Sequence, residues 1–455
     1  MRGPAVPATL NVRSTRLSGW GRYPIVQCRI VEPDSPSETV RFLSTQNSPA
    51  IPRGNGRSYG DSSLSRECTL LTRRLDRMLA FDAGTGILSC EGGVLLSDVI
   101  DAFLPRGLFV PVTPGTKFVT VGGMIASDVH GKNHHAVGSF CDHVVSLELA
   151  TGDGNLLTCS RTEHPDLFAA TCGGMGLTGV IVRAAFRLVA VPSARIEQTI
   201  IRAPDLQSAM EIFQQHEHSS YSVAWIDCFA SGPNLGRSVL FLGEHASPEQ
   251  VRQSTHAEPY ARSHPRAKRF PFDLPGSVLN RLTVSMFNRL YYQVQRPGKM
   301  LVALDSYFYP LDGIHDWNRM YGSRGFVQYQ CVLPLATSRA GLVALLTEIS
   351  RAGLGSFLGV LKRLGRQSFG YLSFPLEGYT LAMDFPVRER TFALLAKLDD
   401  IVASHGGRVY LTKDARMSPR VFSAGYPALD TFRRVRRRYA LNGRFESMQA
   451  RRLEL

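Results

Sequence analysis

The 455-residue chain has no uninterrupted apolar run near the roughly 18 residues that a transmembrane helix requires, although 44% of its residues are hydrophobic. Its first ten residues carry one early charge but lack the apolar core of a secretory signal peptide. We therefore expect neither a transmembrane segment nor a signal peptide, and a location in the cytoplasm or peripherally at the cell membrane.

Paired cysteines are missing as well. The eight cysteines are scattered along the chain, and no two of them form a Cys-x-x-Cys motif. This spacing argues against a zinc site or a disulfide framework and favours buried thiols in a reducing compartment. We expect no bound metal.

Acidic residues are fewer than basic ones, with 38 Asp and Glu against 52 Lys and Arg and a net charge of +14. Basic residues concentrate at 262–269 and 433–438. Such clusters suit nucleic acid, a lipid surface or a phosphorylated substrate, with a solvated basic face as the equal alternative. Because no aromatic-studded basic motif or helix-turn-helix pattern accompanies them, we expect no nucleic-acid partner.

Glycine-rich loops are the most informative feature that the chain does have. They read Pro-Arg-Gly-Asn-Gly-Arg-Ser-Tyr-Gly-Asp at 52–61, Thr-Pro-Gly-Thr-Lys-Phe-Val-Thr-Val-Gly-Gly at 113–123 and Asp-Val-His-Gly-Lys-Asn-His-His at 128–135. Glycine adopts backbone angles that other residues avoid and lets main-chain N–H groups approach a ligand closely. Three such loops in series predict a binding site for a large phosphate-bearing cofactor.

A fourth glycine motif, Gly-Met-Gly-Leu-Thr-Gly at 174–179, matches the Gly-x-Gly-x-x-Gly string of nicotinamide-binding folds. That fingerprint requires a strand before it and a helix after it. Here a predicted helix at 164–171 precedes the motif and a strand-like run at 180–188 follows it. We therefore reject nicotinamide binding at this motif.

The chain leaves its first unit near 191–195, and we expect domains at 1–195, 196–407 and 408–455. The first contains short strands at 68–71, 78–81, 87–90 and 144–149, and a helix over 97–104 that Ser97 is expected to cap. Residues 245–300 are polar and basic and predict a mobile loop. From 327 onward, strands at 327–334, 356–361, 379–387 and 408–411 with helices around 342–349 and 392–402 give the order β-α-β-β-α-β.

The loops in this order, followed by such a ferredoxin-like arrangement, resemble the vanillyl-alcohol-oxidase type of FAD-dependent oxidoreductase. Within that type the chain resembles the decaprenylphosphoryl-β-D-ribose 2′-oxidases, through the first and third loops, Gln-Tyr-Gln at 328–330 and the ending Met-Gln-Ala-Arg-Arg-Leu-Glu-Leu at 448–455. The resemblance implies an α+β fold in which a two-part FAD-binding domain (PCMH type) carries a ferredoxin-like antiparallel-sheet cap that binds the substrate.

The resemblance also implies which residues contact FAD. They are Arg53, Gly54, Asn55, Gly56, Arg57, Ser58, Tyr59, Gly60, Asp61, Gly115, Thr116, Thr120, Val121, Gly122, Gly123, His130, Gly131, Asn133, Val182 and Tyr410. Many relatives tether the flavin through a histidine where this chain has Arg57, or through a cysteine near Thr116. Because neither nucleophile is present, we expect non-covalent FAD.

The implied reaction oxidises the ribose 2′-hydroxyl of a polyprenylphosphoryl-β-D-ribose to the 2′-keto sugar. This step is the first half of an epimerisation to the arabinose donor for cell-wall polysaccharide, and a partner short-chain reductase would complete it. The flavin takes hydride, and a protein base takes the hydroxyl proton. Lys413, which matches the family's essential lysine, and His130, with its near-neutral ordinary pKa, are the rival bases.

Substrate contacts are implied for Tyr59, Trp225, Gln328, Gln330, Lys362 and Lys413. Glutamines two apart on a strand share one face of the sheet, which suits hydroxyl recognition, and a lysine suits a phosphate. Ala382 departs from the most similar relatives, which carry cysteine at that position.

A membrane contact follows from the same resemblance, because a polyprenyl phosphate resides in a membrane. The basic residues of the 245–300 segment are expected to meet anionic headgroups through Arg262, Arg266, Lys268 and Arg269. Two other hypotheses stay open at this point. One is a flavin oxidase of a soluble sugar, alditol or aldonolactone, and the other is a basic nucleic-acid- or membrane-binding protein without a flavin.

Overall fold

The structure is a computed structural model that describes residues 12–46, 48–262, 268–276, 278–439, 441 and 443–455. Helices are combined with largely antiparallel sheets, so the predicted α+β class is confirmed. Within these ranges no helix is both long enough and apolar enough to cross a bilayer, and no cluster of His, Cys, Asp or Glu could hold a metal ion. All eight cysteines are buried and unpaired, as predicted.

The first half of the chain forms a four-stranded sheet of order β1-β2-β4-β3 and a five-stranded sheet of order β5-β6-β10-β8-β9, while β7 pairs with β11. The strands are β1 (Arg13–Ser18), β2 (Ile25–Val31), β3 (Ile51–Arg53), β4 (Thr69–Leu71), β5 (Met78–Asp82), β6 (Ile87–Glu91), β7 (Leu108–Phe109), β8 (Val144–Ala150), β9 (Leu156–Ser160), β10 (Val180–Arg187) and β11 (Val189–Ala190). Strands β2 and β3 both run parallel to β4, whereas the five-stranded sheet is antiparallel throughout.

The second half forms an eight-stranded antiparallel sheet of order β16-β12-β14-β13-β19-β20-β18-β21. Its strands, with the separate pair β15 and β17, are β12 (Arg195–Ala203), β13 (Tyr221–Ile226), β14 (Ser238–His245), β15 (Lys268–Arg269), β16 (Gly298–Ala303), β17 (Ile314–His315), β18 (Phe326–Pro334), β19 (Gly359–Leu364), β20 (Gly378–Pro386) and β21 (Arg408–Val409).

The helices begin and end where local chemistry satisfies their free backbone groups. The Asp205 side chain accepts from Ser208 N at 2.8 Å at the start of α6, and Gly353 ends α10 with a φ of 62°. The helices are α1 (Pro36–Thr45), α2 (Leu96–Phe103), α3 (Val121–Ala126), α4 (His134–Val137), α5 (Pro165–Thr171), α6 (Leu206–Gln215), α7 (Pro248–Thr255), α8 (Arg281–Val294), α9 (Leu304–Phe308), α10 (Leu335–Ala352), α11 (Glu389–Ser404), α12 (Pro419–Gly425), α13 (Leu429–Arg438) and α14 (Met448–Leu453).

The six elements predicted after residue 327 follow in the predicted order, as β18, α10, β19, β20, α11 and β21. The motif at 174–179 is a turn that leads from α5 into β10, which agrees with the rejection of nicotinamide binding. Two strand ends were placed wrongly. β19 begins at Gly359 rather than at 356, and β21 stops at Val409 because the chain turns there, with Asp414 N donating to Tyr410 O at 3.1 Å.

Two local predictions were wrong. Ser97 does not cap α2: it lies inside the helix, and its hydroxyl donates to Asp98 instead. The 245–300 segment is not a loop, because it contains α7, α8 and part of β16, although 263–267 and 277 lie outside the described residues. α8 forms because Asn280 caps it and because its Val284 packs inward.

Two of the four basic residues expected to meet a membrane form ion pairs within the chain, whereas Lys268 is exposed and has no ion pair with a described residue. Arg262 has a side chain only 9% exposed and forms ion pairs with Asp101 and Asp305. Arg269 pairs with Asp316, and Arg266 lies outside the described residues. Arg262 therefore fastens one part of the chain to another and does not offer a free cation to a headgroup.

One continuous cluster of buried apolar side chains reaches from the first sheets into the eight-stranded sheet. The C-terminal segment returns to the first half, because Ala50 bridges to Phe445 and Arg452 pairs with both Asp61 and Asp414. These contacts hold the first glycine-rich loop beside the end of the eight-stranded sheet.

Candidate active site

The three glycine-rich loops meet one another. The Asn55 side-chain amide donates to Phe118 O at 2.7 Å, which joins the first loop to the second. The Asn133 amide donates to Pro111 O at 2.7 Å, which fixes the third loop beside the start of the second. The chain around β3, α3 and α4 thus forms one continuous glycine-lined surface.

The first loop offers an unusual run of free donors. The main-chain N–H groups of residues 54–58 donate to no protein acceptor in the part of the chain that the structure describes. Gly56 lies in the left-handed region with a φ of 63°, which turns the backbone so that consecutive N–H groups converge. Such a concave run of N–H groups is a typical binding site for phosphate oxygens.

The loops approach so closely that only glycine fits at several positions. A Cβ at Gly54 would lie 2.1 Å from Thr120 Oγ1, and one at Gly131 would lie 2.9 Å from Thr113 O. Gly115, in contrast, faces open space. Free N–H donors beside a glycine-lined surface fit a cofactor that carries a pyrophosphate.

Val182 and Tyr410, both predicted to line the cofactor, lie beside these loops. Val182 O accepts from Gly92 N at 3.0 Å, and Gly92 O in turn accepts from Gly122 N at 2.8 Å. The Tyr410 hydroxyl donates to Ser127 O at 2.8 Å, and its ring centroid lies 5.3 Å from that of His130.

Three side chains of the first loop are bound to other parts of the protein. The Arg53 guanidinium donates to Ser18 O at 2.7 Å, and Arg57 stacks on the Trp20 ring at 4.0 Å. The Asp61 carboxylate accepts from Arg452. These contacts hold the loop in shape.

The polar face of the eight-stranded sheet lies against this surface. Across β18 and β20, Gln328 is opposite Asp384 and Gln330 is opposite Ala382, and across β19 and β20, Lys362 is opposite Thr380. Directly paired residues share a face of the sheet. The prediction that the two glutamines share one face is confirmed, and Lys362 joins them there.

Trp225 lies on the same face but at some distance from the glutamines. It is opposite Val360, which is opposite Ala382, so three strand spacings of about 4.8 Å separate it from Gln330. Its indole N–H donates to Phe357 O at 2.9 Å, and its ring lies 4.7 Å from that of Tyr291 on α8. Trp225 thus marks the outer end of this face.

Lys413 lies in the turn after β21, where its backbone N donates to Tyr410 O. Its ammonium nitrogen lies 3.9 Å from the centroid of the Tyr59 ring and forms no ion pair with a described residue. Burial lowers the pKa of Lys413 to about 7, the charge of Asp384 opposes that shift, and Lys362 adds to it. Near neutral pH the amine is therefore available as a free base.

The hydrogen bonds of His130 fix its tautomer. Thr380 donates its hydroxyl to Cys331 O at 2.8 Å, so its oxygen accepts from the Gln330 amide at 3.3 Å. The same amide nitrogen lies 3.0 Å from His130 Nε2, which must then accept and leave the proton on Nδ1. His130 Nδ1 is buried and has no hydrogen-bond partner among the described residues. Burial and nearby Lys362 hold the pKa of His130 well below its usual range, so the ring stays neutral.

Cationic side chains outnumber acids around these groups. Burial lowers the pKa of Lys132 to about 7 and that of Lys362 to about 8, and Lys362 makes no ion pair with a described residue. The Lys132 ammonium donates to Tyr307 O and lies 4.0 Å from the Tyr307 ring centroid. Lysines that are buried without a carboxylate partner are suited to bind an anionic ligand.

Asp384 is the acid of this face, and the sequence reasoning missed it. Gln328 donates to its Oδ1 at 2.6 Å and the Tyr321 hydroxyl to its Oδ2 at 3.4 Å. Burial raises the pKa of Asp384 to about 7. The alternation Thr380, Ala382, Asp384 within an otherwise apolar strand was the signal that could have revealed it.

Residues 29–160 match the model of the FAD binding domain family. The chain is 36% identical over 450 residues to "Decaprenylphosphoryl-beta-D-ribose oxidase" of Mycolicibacterium smegmatis, a match that covers 97% of each chain.

Other relatives match a smaller share of the chain. Cytokinin dehydrogenase 6 of Oryza sativa is 32% identical over 176 residues, which cover 36% of this chain and 33% of the relative. "Putative D-arabinono-1,4-lactone oxidase" of Neurospora crassa is 24% identical over 236 residues, 50% of this chain and 41% of the relative. Of these three relatives, only the Mycolicibacterium smegmatis protein matches the whole of both the eight-stranded sheet and the C-terminal segment that follows it.

Proposed function

The chain belongs to the decaprenylphosphoryl-β-D-ribose oxidase family and is an FAD-dependent oxidoreductase, and we propose that it oxidises the ribose 2′-hydroxyl of a polyprenylphosphoryl-β-D-ribose to the 2′-keto sugar. The observation that carries this proposal is Lys413, an unpaired amine with a pKa of about 7 between the first glycine-rich loop and the polar sheet face. Bound FAD would be the acceptor of the hydride that leaves the carbinol carbon.

Lys413 is the proton acceptor in this proposal. The neutral Nζ takes the proton of the 2′-hydroxyl as the carbinol carbon loses hydride, so the alcohol loses two electrons and two hydrogens to become a ketone. Tyr59 holds the resulting ammonium over its ring, and the nearby charge of Asp384 stabilises it.

His130 serves as a hydrogen-bond donor rather than as the base. Its pKa lies well below the usual range, so it would hold a transferred proton poorly. Its Nδ1–H is buried and free, and it is therefore suited to donate to the cofactor or to a sugar oxygen. Gln330 keeps this tautomer in place through its contact with Nε2.

The sugar and its phosphate are recognised by the remaining polar side chains. Gln328 and Gln330 lie on the same face of the sheet as Lys362. The two glutamines suit the ribose hydroxyls, and the lysine suits the phosphodiester. Binding of a phosphate beside Lys132 and Lys362 would favour their protonated forms, because an opposite charge raises the pKa of an ammonium group.

FAD is held without a covalent bond in this proposal, because Arg57 and Thr116 stand where many flavin-tethering relatives carry nucleophiles. Denaturation in acid or guanidinium should release all of the flavin into the filtrate. Yellow colour or flavin fluorescence retained by the denatured polypeptide on a gel would contradict this.

The remaining parts of the proposal follow from the family. The two halves act as a vanillyl-alcohol-oxidase-type FAD domain and a ferredoxin-like cap, with domains at 1–195, 196–407 and 408–455. The keto sugar passes to a short-chain reductase that completes epimerisation to an arabinose donor for cell-envelope polysaccharide. The lipid-linked substrate brings the protein to a membrane surface.

The test is a single-turnover measurement of flavin reduction without oxygen. Purified holoenzyme is mixed with farnesylphosphoryl-β-D-ribose, and loss of flavin absorbance near 450 nm is followed by stopped flow. Ribose, alditols and aldonolactones at the same concentration serve as the comparison. Rapid reduction by the phosphoryl ribose alone supports the proposal, whereas faster reduction by a free sugar or lactone would make the chain a soluble-sugar oxidase.

A further inference from the structure

Helix α8 carries a row of apolar side chains that no other part of the described chain covers. Leu282, Met286, Leu290 and Val294 recur every four residues and are between 57% and 68% exposed, with Phe287 beside them at 45%. Residues four apart lie above one another on a helix. The row extends over about 18 Å, at about 1.5 Å per residue. Contiguous exposed apolar patches of this kind mark interaction sites.

The row cannot turn inward, because the opposite side of α8 is anchored to the eight-stranded sheet. Val284 and Asn288 are buried, and the Asn288 amide donates to Asp227 at 2.8 Å. Tyr291 packs on Trp225, and the ring of Phe287 lies 5.7 Å from that of Phe357. The apolar row is thus held in an outward orientation on a fixed helix.

The charge around this row has one sign. No Asp or Glu occurs between Asp273 and Asp305, while Arg281, Arg289 and Arg296 are exposed and form no ion pair with a described residue. A helix with an apolar row, flanking arginines and no acid fits the surface of an anionic bilayer, where it lies in the plane of the headgroups. A folded protein partner would need acids to complement these arginines, whereas anionic lipids supply that charge at any orientation.

We propose that α8 docks the protein on an anionic lipid bilayer by inserting this apolar row among the acyl chains while the three arginines bind headgroup phosphates. The inference specifies the membrane contact of the proposed function and rests on it for the origin of the substrate. The polar face begins next to α8: Trp225, in contact with Tyr291, is three strands and about 14 Å from Gln330. A lipid phosphate extracted at α8 would therefore have a short path to Lys362.

The experiment measures co-sedimentation of full-length holoenzyme with vesicles of phosphatidylcholine containing 30% phosphatidylglycerol, and with pure phosphatidylcholine vesicles. We expect at least tenfold tighter binding to the anionic vesicles, because each basic residue contributes about fivefold. The variant L282S/M286S/L290S should lose at least tenfold in affinity. Its matched control is L79S/V145S/L156S, which removes apolar side chains that are 41% to 46% exposed elsewhere.

Charge is tested in the same way. The variant R281E/R289E/R296E should abolish the preference for anionic vesicles, whereas R339E/R434E/R437E, with the same change in net charge at exposed positions on α10 and α13, should retain most of it. Flavin content and circular dichroism confirm that each variant is folded.

Three outcomes would overturn the inference: no vesicle binding by the wild type, equal losses in the two serine variants, or equal losses in the two charge variants. Flavin reduction by a short-chain phosphoryl ribose in the absence of vesicles is measured separately on the same preparations. A protein that reduces its flavin but does not bind vesicles refutes only the docking helix. One that binds vesicles without being reduced refutes only the proposed reaction.

Discussion

Replacing Asp384 with asparagine should move the pH dependence of flavin reduction to lower pH. The amide retains the size of the side chain and an oxygen that accepts from Gln328, so the sheet should stay intact. What disappears is the carboxylate charge, which raises the pKa of Lys413 in the wild type. Without it, the ammonium form of Lys413 loses stabilisation and its pKa falls below about 7.

The size of the shift follows from the distance between the charges. Lys413 and Asp384 make no direct ion pair, so we take a separation of about 6–8 Å, which at an effective dielectric constant of about 20 gives about 2–3 kcal/mol. That energy corresponds to about 1.5–2 pKa units for a fully ionised carboxylate. Asp384 has a raised pKa of about 7 and is only about half ionised there, so the pKa of Lys413 should fall by about 1.

The sign is set by the role of Lys413 as a base. The reaction needs the neutral amine, so the rate rises with pH through the pKa of Lys413 and then reaches a plateau. The wild type should have its midpoint near pH 7, with about a tenth of the plateau rate at pH 6. The D384N variant should retain about half of its own plateau rate at pH 6.

The assay is the rate of flavin reduction by farnesylphosphoryl-β-D-ribose in oxygen-free stopped flow between pH 5 and pH 9. Asp399→Asn is the control, because Asp399 is also buried with a raised pKa of about 6 but pairs with Arg416, and it is not among the charges that shift Lys413. An unchanged midpoint in D384N, or a midpoint displaced to higher pH, would refute the electrostatic coupling between Asp384 and Lys413.

Three further predictions concern the base, the cofactor site and stability. Lys413→Met should slow flavin reduction at pH 8 at least about 100-fold while flavin content stays normal. His130→Gln should leave the midpoint of the pH dependence near pH 7. If that midpoint disappears in His130→Gln, the histidine is the base. Gly54→Val should lower the flavin-to-protein ratio, since its Cβ would lie 2.1 Å from Thr120 Oγ1. Gly84→Val should not, since its Cβ would make only an ordinary contact of 3.4 Å with Asp82 Oδ1. Equal ratios would contradict the role of the first loop. Arg452→Met should lower the free energy of unfolding by about 3 kcal/mol at pH 7, because two buried carboxylates lose their partner. The loss should shrink toward pH 5 as those carboxyls take up protons, and urea denaturation that shows a pH-independent loss would argue against it.

The sequence alone identified the three glycine-rich loops, because glycine positions are local information. Free N–H groups and tight approaches depend on where glycine occurs in a loop, and the order of 52–61, 113–123 and 128–135 identifies that pattern without any contact being known. The alternation of Gln328 and Gln330 likewise determined their shared face.

Side-chain directions within the loops were beyond the reach of the sequence. Arg53, Arg57 and Asp61 lie in the first loop as predicted, but they bind Ser18 O, the Trp20 ring and Arg452. Their partners are far from them along the chain, so no local pattern specifies them. Helix α8 was missed because the polar, basic and proline-containing composition of 245–300 was interpreted as a loop, although Leu282, Met286 and Leu290 recur at helical spacing.

The glycine-rich loops were therefore determined by the sequence itself, through glycine positions, while FAD and Lys413 were implied by the resemblance to known oxidases. Tertiary structure decided the electrostatics. The register of β18 against β20 brings Asp384 to Gln328, and the C-terminal return brings Lys413 against Tyr59 and within the field of that carboxylate. A pKa depends on burial and on charges contributed by strands far apart in the chain, and only the folded protein contains both.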